Sequence, residues 1–114
     1  VKQVGDRAEQ LAVIFLEQKG LQLQETNYRC RFGEIDLILR DGRTLVFAEV
    51  RMRRRSAFGG AAESITAAKR TRLIRTAQHY LMENHSSVPC RFDVVLLQEL
   101  DLNSIEWIPD AFGA

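Results

Sequence analysis

Two hydrophobic rhythms run through this chain. From about Asp6 to Lys19, the residues Ala8, Leu11, Ala12, Phe15 and Leu16 recur at intervals of three and four, the period of a helix with one apolar face. Asp6 followed by Glu9 has the spacing of a capping box, and Gly20 supplies a stop. The looser alternation of LQLQETNYRC predicts a strand that RFG breaks. Two more strands, EIDLILR and TLVFAEVRM, flank Asp41 and Gly42, the dipeptide that most favours a tight hairpin turn. The helical period returns from about Ala61 to Asn84, with Leu73, Ala77, Tyr80 and Leu81 as its inward stripe. Pro89 ends the connection, RFDVVLLQ reads as a buried strand, and SIEWIP as a short final one. The order is helix, three-strand meander, helix, two strands, which is an α/β chain.

Composition narrows the class. A chain of 114 residues suits one core, so 1–114 is expected to be a single domain. With 46% hydrophobic and 27% charged residues it does not resemble a disordered tail, and no apolar run approaches the ~20 residues that span a bilayer. The opening VKQVGDRAEQ lacks the basic-then-apolar layout of a secretion signal, so a cytoplasmic location is expected. Cys30 and Cys90 stand far apart without a CxxC or a neighbouring His, which suits packed thiols better than zinc ligands or a disulfide.

Net charge is only +1, but its distribution is uneven. Arg51, Arg53, Arg54, Arg55, Lys69, Arg70, Arg72 and Arg75 face a single acid, Glu63, within one stretch. Much of this excess falls on a glycine-containing basic loop, about 52–62, and on the exposed face of the second helix.

The candidate chemistry lies just before that loop. With Asp41 and Gly42 as the central turn residues, Asp36 would lie opposite Phe47 and Glu34 opposite Glu49. Alternation then puts Glu34, Asp36, Glu49 and Arg51 on one face of the hairpin. Asp36 and Glu49 become diagonal neighbours roughly 7–8 Å apart at Cβ, a span that one divalent cation bridges. Adjacent carboxylates in an apolar strand repel and lose hydration, so something must compensate. A cation would do so and would supply an activated water for phosphodiester hydrolysis. The plainer alternative is that Glu34 and Glu49 face water and pair with arginines.

Glu9 has two readings, as a carboxylate reaching over the sheet towards the cation or as the closing member of the capping box. Lys69, Arg72 and Arg75 recur at helical spacing, either as phosphate contacts or as a solvated face. Phe58 reads as a loop anchor or a base-stacking residue, and Gly59 and Gly60 as a flexible pair. His79 and His85 read as surface residues, Trp107, Tyr80 and Phe92 as core, and Asp93 as a hydrogen-bonded buried carboxylate.

Four ordered blocks, GDRAEQLAVIFLEQKG, GEIDLILRDGRTLVFAEVRMR, FGGAAESITAAKRTRL and CRFDVV, resemble the YraN family of uncharacterised bacterial proteins over nearly the whole chain. That family is similar in pattern to the PD-(D/E)XK nuclease superfamily and to archaeal Holliday junction resolvases. The resemblance implies a restriction endonuclease-like core, a mixed sheet flanked by helices. It implies Asp36 and Glu49 as the paired metal acids, Glu9 as the helix-one acid, and Arg51 where the superfamily has lysine. Lys69 matches the family's lysine in the second helix. Ile35 replaces the motif proline. Arg51 is the larger departure, because a guanidinium stays protonated and stabilises charge without acting as a base.

These readings lead to an expected Mg²⁺- or Mn²⁺-dependent endonuclease acting on DNA, with branched or damaged DNA among the candidate substrates. Asp36, Glu49, Arg51 and Glu9 form the expected catalytic set. Asp36, Glu49, Glu9 and the backbone carbonyl of Val50 would be the metal ligands, with Glu34 assisting. Arg53, Arg54, Arg55, Lys69 and Arg72 would grip phosphates. Nucleases that cut both strands commonly act in pairs, so a homodimer belongs to this expectation. One alternative is a nucleic-acid-binding module that kept the fold without turnover, and another is an interaction domain for an acidic protein partner.

Overall fold

A computed structural model of the chain describes residues 3–52 and 65–113, the side chains of 3–6 excepted. The predicted basic loop, with Arg53, Arg54, Arg55, Phe58, Gly59, Gly60 and Glu63, lies outside the described residues from position 53 onward. The elements run α1 (Gln3–Gln18), β1 (Gln22–Cys30), β2 (Gly33–Asp41), β3 (Thr44–Met52), α2 (Ala67–Glu83), β4 (Cys90–Leu97) and β5 (Ile105–Phe112). A short 3₁₀ turn, Leu102–Ser104, leads into β5.

The strands form one five-stranded sheet in sequence order, with every pair antiparallel except β3 and β4. Parallel neighbours need a long crossover, and the chain between β3 and β4 contains α2. The fold is therefore a mixed α/β sheet with a helix on each face. Ala8, Ala12 and Leu16 of α1 pack with Leu37, Leu39, Val46, Ala48, Val95 and Leu97. On the opposite face, Leu73 and Ala77 of α2 pack with Ile38, Leu45, Phe47, Phe92, Val94 and Leu96. Each of the larger side chains among them, fully buried, contributes on the order of 1.5–3 kcal/mol.

Three sequence expectations are corrected. α1 begins at Gln3, so Asp6 lies within the helix and not at its N-cap position. α2 begins at Ala67 and not at Ala61, because the side chain of Thr66 caps it by accepting from the amide of Lys69 at 3.1 Å. The hairpin turn is centred on Gly42 and Arg43, with Asp41 paired to Thr44 and Ile38, not Asp36, opposite Phe47. Gly42 has φ +61° and Arg43 is not among the residues with positive φ, the requirement of a type II′ turn with glycine first. This turn leaves Asp41 at the strand end, where its carboxylate accepts from Arg91 at 2.9 Å. The register moves by two residues, so the side chains of the paired stretch, 37–41 with 44–48, keep their expected faces, whereas Glu34 pairs with Arg29 and not with Glu49. At the other predicted stop, the amides of Gly20 and Leu21 bond to the carbonyls of Glu17 and Leu16, closing a Schellman motif.

Candidate active site

The ladder between β2 and β3 ends at Leu37 and Ala48, although β2 starts at Gly33 and β3 continues to Met52. Residues 33–35 pair on the β1 side and 49–52 on the β4 side, so the sheet is notched between them beside Asp36. Asp36 enters the notch. Its Oδ2 accepts the backbone N–H of Val50 at 2.8 Å, replacing a lost ladder bond with a side-chain one.

The strand alternation also breaks here. Ile35 packs on the α2 face, whereas Leu37 packs on the α1 face, and in an unbroken strand they would share one side. The partner strand does the same. Tyr28 belongs to the α2 face, while Thr26 lines a groove against α1. Between them Asn27 has φ +51°, a left-handed conformation that non-glycine residues adopt rarely and asparagine tolerates best. The amide nitrogen of Asn27 donates to Glu9 at 3.2 and 3.3 Å and to Glu34 at 3.3 Å. The kink thus brings a carboxylate from α1 and one from β2 to the same donor.

Glu34, Asp36 and Glu49 line a cavity of about 150 Å³ together with Gly33, Lys69, Arg72 and Leu73. Glu49 is 6% exposed, yet Lys69 Nζ lies 2.7 Å and Arg51 Nη1 3.6 Å from its Oε2. Lys69 reaches the cavity because α2 lies close over the start of β2. A Cβ on Gly33 would sit 3.1 Å from Thr76 Oγ1, and Gly33 has φ +152°. Thr76 is fully buried and donates to the carbonyl of Arg72 at 2.7 Å. Lys69, Arg72, Leu73 and Thr76 therefore form one stripe of α2 over the notch.

Burial and the neighbouring carboxyl of Glu49 push Asp36 up from an ordinary 3.8 to about 8, against the opposing pull of the Val50 N–H. Burial that raises Asp36 beside a second carboxyl disfavours its charged form, and a divalent cation would offset the same cost. Among the described residues no three His, Cys, Asp or Glu side chains are close enough together to hold a metal ion. The residues fit a magnesium-type ion better than a closed cage, because Mg²⁺ commonly takes one or two carboxylates and keeps several waters. The carbonyl of Val50 faces the same sheet edge as its N–H, which donates to Asp36, since an extended residue projects both groups to one edge.

Asp36, Glu49, Arg51, Lys69 and Arg72 thus stand at one cavity or on its carboxylates, with Glu9 joined through Asn27. Arg53, Arg54 and Arg55 lie outside the described residues. Asn27 carried no signal in the sequence beyond its turn-prone residue type. His79 is not a plain surface residue, because its Nδ1 lies 2.7 Å from the hydroxyl of Tyr28. Asp93 is fully buried and accepts from Arg91, Trp107 and the amide of Asp110. Cys30 and Cys90 are free thiols. No helix among the described residues is long and apolar enough to cross a membrane.

A five-stranded mixed sheet between two helices, notched beside paired carboxylates, defines the class of this domain. The chain belongs to the uncharacterised protein family UPF0102, whose family model matches residues 8–97, and this is the YraN family that the sequence blocks resemble. It is 58% identical to a UPF0102 protein of Methylobacillus flagellatus over the full length of both chains. It is 61% identical to a UPF0102 protein of Nitrosomonas europaea, covering 95% of this chain and 92% of that one. A UPF0102 protein of Nitrosococcus oceani is 52% identical over 95% of this chain and 90% of its own.

Proposed function

We propose that this domain hydrolyses phosphodiester bonds of nucleic acid, most simply DNA, with Mg²⁺ or Mn²⁺. The observation that carries the reading is the convergence of Asp36 and Glu49 in a notch beside Lys69 and Arg72. The likeness of its motifs to restriction endonuclease-like enzymes, with Asp36 and Glu49 at the paired-acid positions, points the same way. Asp36, Glu49 and the Val50 carbonyl would hold the cation, which when bound supplies an activated water and neutralises the acids. Lys69 brings to Glu49, from α2, the amine that the superfamily motif would carry at Arg51. It donates to charge that develops on the phosphate, and Arg51 adds a second fixed positive charge. Arg72, with Arg53, Arg54 and Arg55 from the sequence, grips flanking phosphates. Asn27 orients Glu9 and Glu34 at the rim of the notch.

Incubating purified protein with junction, flap and duplex DNA in Mg²⁺ or Mn²⁺ tests this. Cleavage that survives unchanged in Asp36→Ala belongs to a contaminant and ends the enzyme reading. One observation favours a second reading, binding without turnover: Lys69 already neutralises the buried Glu49 at 2.7 Å. That reading expects salt-sensitive nucleic-acid affinity with no cleavage in any metal.

A further inference from the structure

The carboxylate cavity has a neighbour of different chemistry. Phe32, in the turn before β2, and Arg75, Gln78, His79 and Met82 of α2 line an open cavity of about 360 Å³. The two cavities adjoin through the chain itself. Phe32 precedes Gly33, and Arg75 follows Arg72 by three residues, roughly 4.5 Å along the helix axis on one side. Met82 is 67% exposed and belongs to neither core cluster, so packing does not account for a thioether at this position. The aromatic wall is held in place. Phe32 meets the His79 ring at 6.1 Å and 63°, and the Tyr28 hydroxyl holds His79 on one side and reaches Glu83 on the other. The Arg31 guanidinium lies 4.9 Å from the centre of the Phe32 ring.

We propose that this second cavity takes an unpaired nucleobase next to the phosphate at the carboxylate site. The substrate would then be a nucleic acid with single-stranded or extruded residues, not continuous duplex. The proposal deepens the reading of the carboxylate notch as a phosphodiester site and rests on it. Charge complementarity selects this occupant, since Arg75 lines the cavity, Arg31 lies over its Phe32 ring and Arg72 stands in the adjoining carboxylate cavity, which suits a polyanion whose bases are flat and polarisable. An aromatic ring with a flexible thioether accepts any base by its π-face, without reading sequence. In a duplex both faces of each base are stacked, so only an unpaired or flipped base can enter.

Fluorescence anisotropy in EDTA, at one fixed salt concentration, compares three labelled probes: an oligothymidylate, the same backbone with abasic residues, and a blunt duplex. The oligothymidylate is expected to bind more tightly than the abasic strand by roughly five- to a hundredfold. Phe32→Ala and the exposed Met82→Ala should each reduce that gap while leaving abasic affinity unchanged, and Phe32→Trp should restore it. Equal affinity for thymidylate and abasic strands, or an equal loss on both in Phe32→Ala, overturns the base cavity alone. A metal-dependent cleavage that needs Asp36 would still stand in that case. Failure of all three probes to bind also overturns the base cavity, whereas the phosphodiester reading stands or falls separately on Asp36-dependent cleavage in Mg²⁺ or Mn²⁺.

Discussion

The side-chain amide of Asn27 lies within 3.3 Å of carboxylate oxygens of both Glu9 and Glu34, from a backbone held at φ +51°. One residue therefore supplies both the kink in β1 and the donor that two acids share. Asn27→Gly keeps the left-handed backbone and removes the donor, whereas Asn27→Ala loses both. Urea unfolding is expected to find the alanine variant less stable than the glycine one by about 1 kcal/mol. Both variants should bind Mg²⁺ more weakly than wild type by calorimetry. Unchanged Mg²⁺ affinity in Asn27→Gly would detach this amide from the site.

Asp36 makes stability depend on pH. The fold raises this carboxyl from 3.8 to about 8, so between those values the folded chain keeps a proton that the unfolded chain releases. Stability falls as pH rises through that window. Asp36→Asn removes the charge and keeps the shape. Thermal melts in EDTA should show little difference between variant and wild type near about pH 4, and a variant more stable by on the order of a few °C near about pH 9. A constant difference across that range would mean that Asp36 does not carry the proton.

Mg²⁺ must compete with the same proton. Affinity is expected to rise from about pH 6 to about pH 8, with protons released on binding, as calorimetry in buffers of different ionisation enthalpy would detect. Asp36→Asn should abolish this release.

Lys69 and Arg51 both approach Glu49, at 2.7 and 3.6 Å, and are expected to differ in consequence. Lys69→Met should lower the cleavage rate by roughly 10²–10³-fold, the usual effect of losing one transition-state donor. Arg51→Lys, which restores the superfamily residue, should retain activity. The opposite ranking in single-turnover assays would return the main role to Arg51.

Gly33→Ala tests the seat of α2. Its Cβ would meet Thr76 Oγ1 at 3.1 Å, on a backbone at φ +152° that alanine resists. A loss of about 1–3 kcal/mol in chemical denaturation is expected, of which Thr76→Ala in the same chain should recover only the contact share.

The hairpin was legible in the sequence because its apolar positions alternate, and a two-residue error in register kept each face correct between Leu37 and Ala48. The α1 stop at Gly20 was legible for a similar local reason. The start of α2 was not, since the small residues after Arg55 fit a helix or a loop equally, and the Thr66 cap became visible only with its bond to Lys69. Asp36 and Glu49 could be grouped from strand parity. The notch could not, because alternation assumes an unbroken ladder and gives no warning that Asn27 and Asp36 interrupt it. The Lys69 contact depends on how closely α2 lies over Gly33, a tertiary distance that helical spacing leaves undetermined.

Because β3 and β4 run side by side in the same direction, Leu45 pairs with Cys90 and Met52 with Leu97, partners remote in sequence. The meander of β1, β2 and β3 closes through short turns instead. Loop-closure entropy then sets an order of assembly, in which the acidic hairpin can form early and acquires its lysine only when the later crossover docks. Nascent chains would carry the carboxylates before their counter-charge, and divalent ions in the refolding buffer should speed the first phase more than the last.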